Sequence, residues 1–178
     1  MTSTAERLLA VAQIAHALGG HVIGMDRVRP ADGTPAASII EGFVAFDGSP
    51  QDIGSEIKRL TGGSGADVVY DAVGGITTPA ALASLARQGR LVVISAAGTR
   101  TAEIDLVDLY RNETTIYGCS SMSYDVVESG ARLQRLAPFF DSGQFRPPPN
   151  IDRYSLDNAE DAYLAVEHHA HDRVVICP

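Results

Sequence analysis

"ADVVYDAVGG", Ala66–Gly75, is apolar and β-branched through its middle and closes on an acid, two small residues and a double glycine. A strand with one wet face alternates polar and apolar side chains. This run does not, so it reads as a strand covered on both faces. The glycines turn the chain, and "TTPAALASLARQG", Thr77–Gly89, reads as the returning helix with proline in its first turn. "RLVVISAAG", Arg90–Gly98, is then a second buried strand. Strand, helix and parallel strand make a βαβ unit.

The same alternation extends in both directions. Upstream, Ser3 and Glu6 have the spacing of a capping box, and Leu8, Leu9, Val11, Ile14, Ala15 and Leu18 mark one helical face that Gly19 and Gly20 end. "HVIGMD", His21–Asp26, is a strand, and a short helix near Ala36–Glu41 leads to the strand "GFVAFD", Gly42–Asp47. "SPQDIGSEIKRLTGG", Ser49–Gly63, has a serine N-cap, a first-turn proline and a Gly-Gly end, so it is a helix. Downstream, a short helix over Ile104–Arg111 precedes the strand "TTIYGCSS", Thr114–Ser121, and a longer helix covers Asp125–Ser142. After "RPPPN", Arg146–Asn150, come a strand or turn, a helix over Asn158–His168 and the strand "RVVIC", Arg173–Cys177. The pattern predicts an α/β fold, a doubly wound and mostly parallel sheet of about five or six strands, in one domain over residues 1–178.

Composition narrows the function classes. The 178 residues are 45% hydrophobic and 20% charged, ordinary for a soluble globular protein. A net charge of −8 argues against nucleic acid or an anionic membrane as partner, since both want a basic face. No apolar run approaches the roughly 20 residues that span a bilayer, and the N-terminus lacks a signal-peptide pattern. Cys119 and Cys177 have neither metal-ligand spacing nor the look of a disulfide framework. The expected compartment is cytoplasmic.

"LTGGSGADVVYDAVGG", followed by "ALASLARQGRLVVIS", resembles the cofactor domain of medium-chain dehydrogenases/reductases, in their quinone-oxidoreductase-like branch. The resemblance continues through "DLYRNETTIYGCSS" to "YSLDNAEDAYLAVEHHAHDRVVICP" and covers Ala12–Cys177. It implies a Rossmann-like domain for NAD or NADP, working in hydride transfer to or from a carbonyl, quinone or activated alkene. The family's GroES-like catalytic domain, which holds zinc ligands in the alcohol-dehydrogenase branch, has no counterpart here. Nor do the first strand and its glycine-rich turn, and no G-x-G-x-x-G occurs anywhere in the sequence. That turn and the helix behind it hold a dinucleotide pyrophosphate. Cofactor binding is therefore expected to be weak or absent, with no independent turnover. A missing strand would leave a central slot to be closed, filled from another chain or occupied by "ERLLAV", Glu6–Val11, for which the helical signals are the stronger.

The resemblance also places candidate contacts. Asp26 would meet the adenosine ribose, where an acid favours the 2′-hydroxyl of NAD over the 2′-phosphate of NADP, and Arg27 could stack on adenine. Asp71, Ala72, Val73, Gly74 and Gly75 would pass beneath the adenosine and nicotinamide riboses. Ser95, Ala96, Ala97 and Gly98 would lie near the nicotinamide, and Arg173 near the phosphates. Each has a plainer reading as a solvated turn, a strand-to-helix turn or a surface arginine. No catalytic acid is assigned, because the substrate pocket would belong largely to the catalytic domain. His16, His21, His168, His169 and His171 complete no ligand set, so no metal site is expected. Tyr70, Tyr117 and Tyr124 read as packing residues.

Asn112–Ser121 carries strong β-formers, with neither charge nor proline between Thr114 and Ser121. In the family this segment pairs with its two-fold mate, which implies a homodimer. Two other classes stay open: a non-catalytic dimerising protein, and a small methyltransferase whose strands "VIGMD" and "DVVYDAVGG" would frame S-adenosylmethionine. The latter fold also needs a glycine-rich loop.

Overall fold

Residues 4–46, 52–96, 99–147, 151–168 and 173–178 are described by a computed structural model. In chain order the elements are α1 (Thr4–Ala17), β1 (Ile23–Asp26), α2 (Pro35–Ile39), β2 (Gly42–Ala45), α3 (Ile53–Leu60), β3 (Ala66–Asp71), α4 (Thr78–Ala83), β4 (Leu85–Val93), α5 (Leu106–Arg111), β5 (Thr115–Gly118), α6 (Val126–Asp141), β6 (Ile151–Ser155), α7 (Ala159–Glu167) and β7 (Arg173–Cys177). Every strand pair is parallel, as expected for strands joined through helices. The fold class is α/β. The chain forms two compact units: one of Met1–Val22, Arg29–Glu41 and Leu133–Pro178, the other of Ile23–Val28 and Gly42–Arg132.

In the first unit, α1 buries Leu9, Ala12 and Gln13, whereas Leu18 is 76% exposed. The apolar stripe read from the sequence is therefore rotated, and a glutamine sits on the inner face. The reason is polar. Arg146 N–H donates to Gln13 Oε1 at 2.6 Å and Gln13 Nε2 donates to the Arg146 carbonyl at 3.2 Å, so the buried amide is satisfied on both sides. Phe145, also buried, stacks on Phe139 at 4.8 Å and meets the edge of Phe140 at 5.5 Å. The stretch after the prolines is a strand: β6 pairs with β7 from Ile151↔Arg173 to Ser155↔Cys177, with Ala162 of α7 buried.

The second unit holds two ladders, β1–β2 and β3–β4–β5. Val44, Phe46, Ile53, Ile57 and Ala80 form its first core cluster, with Ile23 and Met25 of β1 and Ala66 of β3 packed against it. A second cluster of Ala81, Leu85 and Leu91 takes in Val69, Leu82 and Val93. Full burial of a leucine such as Leu91 is worth about 1.5–3 kcal/mol. Among the described residues no ladder joins β1 to β3. The two share a core cluster with α3 and α4 without pairing backbones, so the single sheet expected from the sequence is divided at this point. Glu6–Val11 lies in helix α1.

Two boundaries differ from the sequence reading. The helix expected over Thr77–Gly89 ends at Ala83, because Leu85 is taken up by pairing with Ala66 and by the core, and Ala66 N–H donates to the Ser84 carbonyl at 2.9 Å. Gln88 then turns at φ 62° and donates its N–H to the Asn112 carbonyl at 2.7 Å. The strands are also shorter at their ends, β4 stopping at Val93 and β5 covering only Thr115–Gly118. The expected cap at Ser49 lies outside the described residues. α5 begins as a capped helix should, Asp105 Oδ1 accepting from Val107 N–H at 2.8 Å and Asp108 N–H at 3.2 Å.

Candidate functional site

Parallel α/β sheets bind ligands beyond the carboxyl ends of their strands. In the second unit those ends are Asp26 on β1, Asp71 on β3, and Ile94, Ser95 and Ala96 beyond β4. Asp71 is 5% exposed, and its carboxylate faces inward. Oδ1 accepts from Val73 N–H at 3.1 Å, Gly74 N–H at 2.8 Å and Thr77 Oγ1 at 2.7 Å; Oδ2 accepts from Thr78 Oγ1 at 2.9 Å. A buried carboxylate needs such donors, since leaving it unpaired would cost several kcal/mol. Its side chain is committed to its own turn.

That turn is a close backbone approach. Gly74 and Gly75 have φ of 70° and 57°, a left-handed region that L side chains avoid. A β-carbon on Gly74 would overlap the Ser95 carbonyl oxygen and come within 2.9 Å of the Ala96 Cα. One on Gly75 would overlap the Thr99 carbonyl oxygen and come within 2.9 Å of the Thr99 Cβ. The ends of β3 and β4 thus form one surface, built from Ala72, Val73, Gly74, Ser95 and Ala96 without bulky side chains. The sequence reading placed these residues at the ends of two successive strands, which the structure sets side by side, and treated Thr77 and Thr78 only as a helix start. The signal available was an acid ending a strand with two hydroxyls six and seven residues on.

The other candidates lie on other elements. Asp26 ends β1, with Oδ1 accepting from the Arg27 N–H at 2.6 Å; Arg27 is exposed. Arg173 belongs to the first unit, where it opens β7 and is exposed. Ala97 and Gly98 lie outside the described residues. Of the tyrosines, Tyr70 is half-buried, and burial raises its phenol above the ordinary value, helped by the nearby Cys119. Tyr117 is 50% exposed, contrary to the packing role expected for it, on a strand whose ladder partner among the described residues is β4 alone. Tyr124 carries the Arg132 guanidinium 3.8 Å above its ring. Among the described residues no group of three or more His, Cys, Asp or Glu side chains could hold a metal ion, and no helix is long and apolar enough to cross a membrane. A cavity of about 460 Å³ lies between α4 and α5, lined by Pro79, Leu82, Ile104, Asp105, Asp108 and Leu109; it takes in none of the strand-end residues.

Residues 9–136 match the zinc-binding dehydrogenase family. Over 83 residues, 45% of this chain and 26% of the relative, the sequence is 35% identical to a zinc-type alcohol dehydrogenase-like protein of Schizosaccharomyces pombe. A mycobacterial quinone oxidoreductase structure is similar at TM-score 0.81 and 26% identity, over 96% of this chain and 53% of the other. A mycobacterial protein solved in complex with NADPH matches at TM-score 0.73 and 26% identity, over 96% of this chain and 54% of that one. The chain spans about half the length of these solved relatives and about a quarter of the curated one.

Proposed function

The chain belongs to the zinc-binding dehydrogenase family, and from that membership we propose that it is the nicotinamide-nucleotide-binding part of a quinone-oxidoreductase-like or alcohol-dehydrogenase-like enzyme, inactive by itself. The observation that carries this reading is the joint surface at the ends of β3 and β4, where two left-handed glycines bring one strand-end loop against the next. A flat sugar or ring needs such an approach, and side chains would prevent it. Ala72, Val73 and Gly74 would lie under the riboses, and Ser95, Ala96, Ala97 and Gly98 beside the nicotinamide. Asp26 Oδ2 would accept from an adenosine ribose hydroxyl, with Arg27 alongside. When bound, the nicotinamide supplies or accepts the hydride. The substrate class is a carbonyl, quinone or activated alkene. Zinc does not fit the described residues, which offer no ligand set.

Binding should be weak. The sequence lacks a G-x-G-x-x-G turn, and two charge-assisted hydrogen bonds to pyrophosphate, each about 1.5–3 kcal/mol, correspond to roughly 10²–10⁴-fold in affinity. Titration of NADH and NADPH, followed by nicotinamide fluorescence, tests both parts. Saturation only well above the low micromolar range is expected, with Asp26→Ser moving preference toward NADPH by about tenfold. No saturation at millimolar nucleotide would sink the cofactor reading, and saturation by S-adenosylmethionine instead would point to a methyltransferase. Tight binding, in the low micromolar range, would remove the argument from the missing turn.

A second reading has its own support. All four residues of β5 are exposed and among the described residues the strand pairs only with β4, so Asn112–Ser121 offers an edge through which two copies would join as a homodimer, with or without cofactor.

A further inference from the structure

The Asp71 carboxylate accepts four hydrogen bonds, two from backbone N–H groups of the turn that follows it and two from hydroxyls at the start of α4. We propose that Asp71 is a positioning residue: it locks the Val73–Gly75 turn in its ligand-ready shape against Ser95 and Thr99 before any ligand arrives, and makes no ligand contact of its own. The inference rests on the nucleotide-binding reading for its purpose, but its geometry stands independently. Oδ1 accepts three bonds and Oδ2 one from within, and only 5% of the residue reaches solvent, so the acceptor capacity left on Oδ2 is buried away from a ribose hydroxyl. The N–H groups of Val73 and Gly74 are drawn inward by that carboxylate, which leaves them unavailable to a phosphate. A fixed negative charge beneath the turn further disfavours an anion. The subsite it shapes therefore takes a neutral, hydroxyl-bearing or amide-bearing group, such as the ribose or carboxamide end of a nicotinamide nucleotide, and excludes its phosphates.

Thr77 and Thr78 extend the lock into the helix. Thr77 is almost fully buried, and Thr78 supplies the only partner of Oδ2 among the described residues. Losing the carboxylate would free the turn to relax, and the contacts of Gly74 with Ser95 and of Gly75 with Thr99 would loosen together.

Amide resonances of the isotopically labelled chain decide the matter, together with NADPH titration. Val73 and Gly74 amides of the wild type should exchange slowly and stay unperturbed on addition of inorganic phosphate. In Asp71→Ala both should exchange at least tenfold faster while Leu91, in the core, keeps its protection, and the NADPH dissociation constant should rise by roughly tenfold. Asp71→Asn keeps an acceptor at Oδ1 and should restore both readouts to within a few-fold. If Asp71→Ala does not fold, Thr78→Val removes only the Oδ2 partner and should speed exchange of the same two amides several-fold. Free exchange at Val73 and Gly74 in the wild type, or phosphate-induced shifts there, would overturn the proposal. So would an Asp71→Ala protein whose turn amides loosen while NADPH binds as before. A wild type that binds no NADPH defeats the nucleotide reading alone, and the amides still decide whether Asp71 holds the turn.

Discussion

Gly74 lies backbone to backbone against Ser95, with no room for a β-carbon between them. Alanine at this position would meet two penalties, about 1–2 kcal/mol for the left-handed conformation and a further cost for displacing the end of β4. Gly74→Ala is expected to lose at least about 3 kcal/mol, lowering the midpoint of thermal unfolding by roughly 6–12 °C. Gly130, inside α6 with nothing within 4 Å of its would-be β-carbon, provides the contrast. Gly130→Ala should stabilise by about 0.5–1 kcal/mol through helix propensity alone. Circular dichroism melts of the two variants check both signs.

The edge strand gives the second prediction. Thr115–Gly118 is exposed throughout and among the described residues has a ladder partner only in β4. Pairing with a second copy would be isologous, so one substitution acts twice at the interface. Light scattering should find a dimer for the wild type and a folded monomer for Ile116→Pro. A monomeric wild type, or a folded variant that stays fully dimeric, counts against the dimer.

Acid behaviour gives the third. Gln88 Nε2 donates to Glu113 at 2.6 Å and Arg87 pairs with the same carboxylate at 2.5 Å. The hydrogen bond from Gln88, then that from Arg87, hold the Glu113 carboxyl below its ordinary value of 4.5. A depressed folded pKa means stability that is fully present above that ordinary value and disappears as pH falls through the folded one. Denaturant unfolding of the wild type should therefore weaken below about pH 4.5 relative to Glu113→Gln. The difference should be small, because the pair is exposed and screened. Identical pH profiles for the two proteins would show that the clamp contributes nothing.

Much of the architecture was legible in the residues. Apolar runs such as Val68–Tyr70 and Leu91–Ile94 announce strands, and Asp105 announces the start of α5 because a carboxylate can accept the free N–H groups of a first turn. The strand ends could be found as candidate site residues for the same reason, since parallel topology puts them on one rim. What misled the reading was local plausibility. Leu85–Gly89 continues a helical pattern, yet Leu85 packs in the core and pairs with Ala66, and Leu18 completes an apolar stripe yet is 76% exposed.

The alternation of helix and strand, the parallel class and the glycine turn after Asp71 could be read from the residues, because these depend on neighbours within a few positions. Only tertiary structure decided that β1 and β3 share a core without pairing, that Gln13 turns inward to Arg146, and that Asp71 faces its own turn. Ladder pairing and burial depend on which surfaces meet in space, and a carboxylate turns to whichever donors meet it there. For Asp71 those donors are Val73, Gly74, Thr77 and Thr78.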